Sequence, residues 1–295
     1  MRVFVTGATG FIGAAVVAEL IEAGHQVVGM SRSDAGAAAL RQAGAESYAG
    51  NIDDLDSMRR GADACDALIH TAFDHDFSRF AANCEKDRAV ILALGQAFEG
   101  SARPLVITGV TAIGSAAPGQ PADEDVVNLQ HPNPRVASEQ ACARLLERGV
   151  NLSVVRLSQI HDERRQGLVT EMIALARRTG RSAWVDDGAN RWSAAHLLDT
   201  ARLYRMALEQ AQAGARYHAT AEQGIAFRDI AERIGERLGV PSISLPAQAM
   251  DAHFGWLGGL VGMDIPASSA ITRETLGWTP TGPTLLDDVE AGHYG

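Results

Sequence analysis

The sequence predicts an α/β chain: a Rossmann doubly wound parallel sheet over residues 1–160, then a smaller C-terminal lobe over 161–295, part of which returns to the sheet. Three observations carry this. Short β-branched runs alternate with amphipathic helical patterns through the first half, a glycine-rich turn sits between the first run and the first helix, and the alternation loosens after Leu157.

In chain order, strands are expected at Val3–Thr6, Gln26–Met30, Ala67–His70, Leu105–Thr108 and Leu152–Leu157, with a weak third strand before Asn51. The segment Phe11–Ala23 places Ile12, Val16, Val17, Leu20 and Ile21 on one helical face, and Gly24 supplies a stop signal. Helices are likewise expected at Asn83–Phe98 and Ser138–Arg148, and in the second half at Leu168–Arg178, Leu197–Gln210 and Phe227–Leu238. Ala116–Pro134, rich in Pro, Gly, Asn, Gln and Asp, reads as a long loop of the kind that often carries function. Gly255–Gly262 is apolar but too short to cross a bilayer, so it is expected to pack as a lid over a site or against a second subunit.

Composition narrows the class. With 295 residues, 46% of them hydrophobic and 21% charged, the chain can bury a full core without staples. Cys65, Cys84 and Cys142 are odd in number and widely spaced, which argues against a disulfide framework or zinc cluster and for a reducing, cytoplasmic setting. A net charge of -10 argues against nucleic acid, and no apolar run is long enough for a signal peptide or a membrane span. Of the 26 basic residues a single one, Lys86, is lysine.

The most informative motif is Thr6-Gly7-Ala8-Thr9-Gly10-Phe11-Ile12-Gly13, placed after a strand and before a helix. In that context the glycines have distinct physical tasks: Gly7 for a tight turn, Gly10 for close approach of backbone to a diphosphate, Gly13 for helix–strand contact. The open amides at the helix start then hold the diphosphate of a dinucleotide. The second strand ends in Ser31-Arg32-Ser33, where an NAD site usually offers a carboxylate. A guanidinium and two hydroxyls instead suit a 2′-phosphate, each charge-assisted hydrogen bond being worth about 1.5–3 kcal/mol, so NADP(H) is the expected cofactor and NAD(H) the alternative. Asn51 and Ile52 are expected at the adenine, and Thr71, Ala72, Phe73 and Thr108 along the C-terminal sheet edge where ligands of such folds lie.

On these residues, together with His70-Thr71-Ala72, Arg156, His196-Leu197-Leu198-Asp199 and Leu276-Gly277-Trp278-Thr279-Pro280, the chain resembles the short-chain dehydrogenase/reductase superfamily, in its extended and atypical branch of epimerase/dehydratase-like proteins. The resemblance implies a dinucleotide in the N-terminal domain and a small-molecule substrate under the C-terminal lobe. It also implies a homodimer through two helices beside the sheet, here Asn83–Phe98 and Ser138–Arg148.

The resemblance fails at the chemistry. Usual members carry a tyrosine followed four residues later by a lysine, and the lysine lowers the phenol's pKa so that it shuttles a proton. At that place this chain has Arg135 and Glu139; its tyrosines are Tyr48, Tyr204, Tyr217 and Tyr294, none paired with Lys86 in this way. Three residues are candidates to replace the missing function. His161, just past the strand Leu152–Leu157, could donate a proton, or be a loop histidine. Arg135 could stabilise an alkoxide, or pair with Glu139 one helical turn on. Thr111, like Thr108, could donate a hydrogen bond to a carbonyl, or be satisfied by backbone. Asp74-His75-Asp76 could touch substrate or ribose, or form a solvated loop tip. His196 and Asp199 have metal-like spacing but no third ligand, so no metal is expected. The reading that follows is an NAD(P)H-dependent reductase of a carbonyl or imine in a small organic molecule. The alternatives are a non-catalytic NADP(H)-binding redox sensor and a nucleotide-sugar epimerase or dehydratase.

Overall fold

The computed structural model describes residues 1–292; Tyr294 lies outside the described residues. The first half runs β1 (Arg2–Thr6), α1 (Phe11–Glu22), β2 (Gln26–Ser31), α2 (Asp34–Gln42), β3 (Glu46–Ala49), α3 (Leu55–Asp63), β4 (Ala67–His70), α4 (Phe80–Gln96), β5 (Leu105–Val110), α5 (Val136–Glu147) and β6 (Leu152–Leu157). The second half runs β7 (Gln159–His161), α6 (Leu168–Thr179), β8 (Ser182–Val185), β9 (Arg191–His196), α7 (Leu197–Gln210), β10 (Arg216–Ala219), β11 (Glu222–Ala226), α8 (Phe227–Leu238), β12 (Ser242–Leu245), α9 (Met250–Phe254), α10 (Gly258–Val261), α11 (Ala270–Leu276) and α12 (Leu285–Ala291).

Seven strands form one parallel sheet in the order β10-β6-β5-β4-β1-β2-β3, which reverses direction of winding between β1 and β4. Its central strands are continuous apolar runs because both faces are covered: Val3, Phe4, Val5, Leu68, Ile69, Leu105, Val106 and Ile107 are fully buried. One face packs on α1 and α7 through Val16, Val17, Leu20, Tyr204 and Leu208. The other packs on α3, α4 and α5 through Met58, Val90, Ile91, Leu94, Cys142 and Leu145. Thus α7 and β10, from the second half of the chain, complete the doubly wound domain. The rest of that half builds a lobe around two small sheets, β11-β9-β7 and β12-β8, with its own core of Trp192, Phe227, Ile230, Phe254, Leu257 and Val261.

Two expectations shift in detail. The helix expected from Asn83 starts at Phe80, because Asp76 caps a 3-10 turn over Phe77–Arg79 that leads into it. The strand expected to end at Thr108 continues to Val110, pairing with β6 as far as Leu157.

The two motifs singled out in the second half meet each other. The Asp199 carboxylate accepts from the amides of Thr281 and Gly282, its carbonyl accepts from Trp278 Nε1, and His196 caps α7, so the His-x-x-Asp and Leu-Gly-Trp-x-Pro segments lock the chain end onto α7.

A buried ion cluster pins the far edge of the sheet. Arg156 on β6 and Glu139 on α5 are 0% and 1% exposed, with Arg156 Nε 2.7 Å from Glu139; Arg216 of β10 reaches the other carboxylate oxygen at 3.1 Å. His218, its pKa pushed down to about 3 by burial and by Arg156, stays neutral between Arg156 and the Ser268 carbonyl. Removing one partner from such a cluster leaves buried charge without compensation. Glu139→Gln should therefore cost about 3–5 kcal/mol of stability, measured by urea unfolding.

Candidate functional site

The cleft opens at the C-terminal ends of β1, β2, β4 and β5, beside the point where the strand order reverses, which is where open α/β sheets bind ligands. Its floor begins with the glycine turn. Gly7 takes φ +66°, and a Cβ there would lie 2.7 Å from the Ala72 amide nitrogen. A Cβ on Gly13 would lie 2.1 Å from the Gly7 carbonyl, so β1, α1 and β4 meet with no room for a methyl group. Gly10 caps α1 without a side-chain hydrogen bond, and Thr9 and Gly10 are exposed, leaving the first-turn amides open to an anion. Phe11 and Ile12 are half-buried on that first turn, and Arg165 from the small lobe lies over the Phe11 ring at 5.7 Å, adding positive charge at the rim. A cradle that a Cβ would fill, an uncapped helix start and a nearby guanidinium fit a dinucleotide diphosphate.

At the end of β2 the residues divide. Ser31 is buried and its hydroxyl donates to the Ser33 carbonyl, while the Ser33 hydroxyl caps α2 at Gly36. The Ser31 hydroxyl is therefore engaged within the turn, contrary to the expectation that it stands open to a phosphate, while the exposed Ser33 hydroxyl only accepts. Arg32 is exposed and has no hydrogen bond or ion pair among the described residues. Asn51 accepts from the Asp53 amide in its own turn, and Ile52 rests half-buried against the core. Thr71 donates to the Thr6 carbonyl at 2.8 Å, clamping β4 to β1; it and Ala72 line the turn with their backbone. The lone lysine, Lys86, bridges Asp53 and Asp74, tying the loops after β3 and β4 together.

Beneath the cleft runs a buried polar chain. Thr6 Oγ1 lies 2.7 Å from His70 Nδ1, His70 Nε2 lies 3.0 Å from Asp87, and the other Asp87 oxygen receives Arg135 at 3.0 Å and Ser138 at 2.8 Å. Burial alone would raise the Asp87 pKa, but the Arg135 charge and the His70 and Ser138 hydrogen bonds hold it below the usual carboxylate range. Arg135 also donates to the Thr108 carbonyl and lies over the Phe73 ring at 4.3 Å. It does not pair with Glu139, which Arg156 and Arg216 occupy. Where usual members hold a tyrosine and a lysine, this chain has two parts of two separate ion-pair networks.

Three other expectations are corrected. His161 does not face the cleft: it is 0% exposed in the lobe, bonded through Nδ1 to Asp288 at 2.6 Å and edge-on to His196. The chain turns at Ser158 into β7 rather than into a loop, and that strand's pairing with β9 carries the imidazole into the lobe interior. Burial lowers its pKa, offset in part by Asp288. Thr108 donates to the His70 carbonyl and lies 2.6 Å from the Tyr204 hydroxyl, so its side chain is engaged within the fold. Thr111 is buried, its hydroxyl directed at the Leu157 carbonyl at 3.4 Å.

His75, in the loop after β4, is the exposed histidine nearest in sequence to the cleft residues Thr71–Phe73. It is exposed and edge-on to Phe73 at 5.3 Å, with its pKa lowered by partial desolvation and by the charges of Arg165 and Arg135, offset in part by a backbone hydrogen bond at Phe73 and by Asp74. The long loop after β5 is tied to the lobe by the bridge between Ala122 and Ala267 and by Glu124, which accepts from Thr272. Of the Gly255–Gly262 segment, Leu257 and Val261 enter the lobe core, while Trp256 reaches out to stack on Phe77 at 5.1 Å. Asp87 and Arg165 had no local signal, since each is defined by a partner distant in sequence, whereas Trp256 lay within the apolar Gly255–Gly262 segment. Among the described residues no group of His, Cys, Asp and Glu has metal-binding geometry, and no helix is long and apolar enough to cross a membrane.

Residues 3–220 match the NAD dependent epimerase/dehydratase family. The chain belongs to that family. It is similar at 43% identity, over 100% of both chains, to an uncharacterized protein of Schizosaccharomyces pombe. It is 26% identical to the 4-hydroxy-2-methyl-3-oxo-4-farnesyl-3,4-dihydroquinoline-1-oxide ketoreductase of Stigmatella aurantiaca, over 86% of this chain and 80% of that one. The crystal structure of Thermus thermophilus UDP-glucose 4-epimerase, a complex with NAD, superposes with a TM-score of 0.75 over 99% of this chain and 97% of that one; at 18% identity this likeness establishes the fold alone.

If His161 is structural, replacing it strands a buried carboxylate. His161→Leu should lose about 1–3 kcal/mol of stability in urea unfolding and leave dinucleotide affinity unchanged; a large loss of affinity in the folded variant would return His161 to the site.

Proposed function

We propose that this protein is an NADPH-dependent reductase of a carbonyl or imine group in a small organic molecule. The observation that carries the reading is the fate of the tyrosine and lysine positions: the glycine cradle and Arg32 are kept, while Arg135 and Glu139 are locked into buried ion pairs. Oxidising an alcohol, the first step of sugar epimerisation, requires a base to take the hydroxyl proton. Arg135 cannot act as one at working pH. Reducing a carbonyl requires polarisation of the oxygen and delivery of a proton, which a fixed cation and an imidazole can provide. The same imidazole, deprotonated, would serve the reverse reaction, so the loss of the tyrosine argues against tyrosine-based epimerisation and the direction rests on the ketoreductase relative.

Bound NADPH would supply the hydride. Gly7, Thr9, Gly10, Phe11 and Ile12 would hold its diphosphate, Arg32 its 2′-phosphate, Asn51 and Ile52 its adenine side, and Thr71, Ala72 and Phe73 its path toward the substrate. Arg135, partly balanced by Asp87, would contribute a fixed guanidinium at the cleft floor to polarise the substrate oxygen, and His75 is the proposed proton donor. The ketoreductase relative supports carbonyl reduction as the reaction type. A second reading, a redox sensor that binds NADP(H) without turnover, is favoured by the lack of any tyrosine–lysine pair; a panel of aldehydes, ketones and cyclic imines with NADPH, followed by absorbance, separates the two. Tight cofactor binding without turnover would support the sensor.

Two further outcomes are expected. Arg32→Ala should lower NADPH affinity about tenfold or more, the equivalent of one charge-assisted hydrogen bond, with NADH affinity unchanged; an unaltered ratio by calorimetry removes Arg32 from phosphate recognition. The His75 pKa lies below its ordinary 6.5, so the protonated, donating form is lost as pH rises through that lower value. Reductive kcat/KM should fall across this range, and His75→Gln should flatten the profile and reduce kcat about a hundredfold. A profile unchanged by the substitution would assign the proton to solvent.

A further inference from the structure

The cleft mouth is bordered by a run of rings contributed by both parts of the molecule. Phe73 and His75 meet edge to face at 5.3 Å, His75 and Phe77 lie 6.2 Å apart, Phe77 and Phe80 lie 5.7 Å apart, and Phe77 stacks on Trp256 at 5.1 Å with ring planes 16° apart. Phe77 and Trp256 are 38% and 52% exposed.

That exposure is not the fraying of a loose turn. Phe254, Leu257 and Val261, on either side of Trp256, are buried in the lobe core, so the indole is held out into solvent from an anchored segment. Large apolar groups kept accessible beside a cleft mark a binding surface.

Several of the polar groups next to these rings are already engaged. Asp74 pairs with Lys86, Asp76 caps the turn at Ser78, and the Arg135 guanidinium lies on Phe73 while bonded to Asp87. Little of that is left for the hydroxyls of a sugar, whereas Phe77 and Trp256, covered by each other on one face, keep part of their ring surface exposed. Aromatic side chains favour a flat π-bearing partner in offset or edge-to-face geometry, by about 0.5–1.5 kcal/mol beyond the area buried.

We propose that Phe73, Phe77 and Trp256 form a subsite for a flat aromatic or conjugated carbonyl compound. This rests on the reductase reading for the carbonyl and on the ring geometry for the flat apolar part. Phe77 and Trp256, one from each side of the cleft, form its outer wall, and Phe73, braced by Arg135, its inner one.

The test uses the full chain and two ligands of matched size, benzyl alcohol and cyclohexylmethanol, whose binding in the presence of NADPH is measured by calorimetry. Benzyl alcohol should bind about two- to twelvefold more tightly, and Phe77→Leu and Trp256→Leu should each reduce that preference toward unity. Both substituted side chains are exposed, so the fold is expected to survive; far-UV circular dichroism checks it. Equal binding of the two ligands, no measurable binding of either, or a preference that persists in both variants overturns the subsite. In parallel, kcat/KM for benzaldehyde and cyclohexanecarboxaldehyde should show the same ratio. Aromatic preference in binding with no turnover of any carbonyl overturns the reductase reading alone, and turnover without aromatic preference overturns the subsite alone.

Discussion

The buried carboxylate of Asp87 is the constraint on which the cleft floor depends. It sits on α4, yet its two oxygens gather β4 through His70 and α5 through Arg135 and Ser138; Arg135 extends the chain to the Thr108 carbonyl on β5. A carboxylate so deeply buried is tolerated only when both oxygens are paired. Its partners are therefore fixed in place, and with them the ends of the strands that any ligand must meet. The same fixation holds the Arg135 guanidinium against Asp87 and the Thr108 carbonyl.

The near absence of lysine fits this picture. Arginine holds its charge at any working pH and makes several directed hydrogen bonds, which suits a frame of buried ion pairs. Arg156 binds Glu139 and the Val126 carbonyl, Arg216 binds the same carboxylate, and Arg103 donates to the Cys65 carbonyl at the opposite end of the sheet. A lysine whose pKa can be tuned is what a phenol-based proton shuttle needs, and Lys86 is instead placed between two loop carboxylates, which raise its pKa. The residues that differ from the usual catalytic set thus form a consistent alternative, in which fixed charge replaces exchangeable protons.

Local pattern was enough to read the sheet and the glycine turn, because both are determined over short distances: apolar runs bury on two faces, and three glycines between a strand and a helix leave no space for side chains. The ends of elements were less legible, as at α4, where the Asp76 cap lies outside the periodic segment. His161 was misplaced for a related reason. His161 follows a sheet strand at the right distance in sequence, but whether the next residues form a loop or a strand depends on β9, more than thirty residues on, which pairs with them. Thr108 and Thr111 look like free hydroxyls until the backbone carbonyls of β4 and β6 come beside them. His75 stood within a charged tripeptide that resembles a solvated loop tip; only the rings folded around it make it part of a cleft.

The exchange of tyrosine for arginine couples chemistry to recognition. A phenol at position 135 would present a hydroxyl to the substrate and leave Phe73 to pack as it could. The guanidinium instead lies flat on Phe73 at 4.3 Å, where the ring face and the cation attract each other, and Asp87 prevents it from turning away. One substitution therefore withdraws the proton shuttle and also stiffens the first ring of the aromatic border.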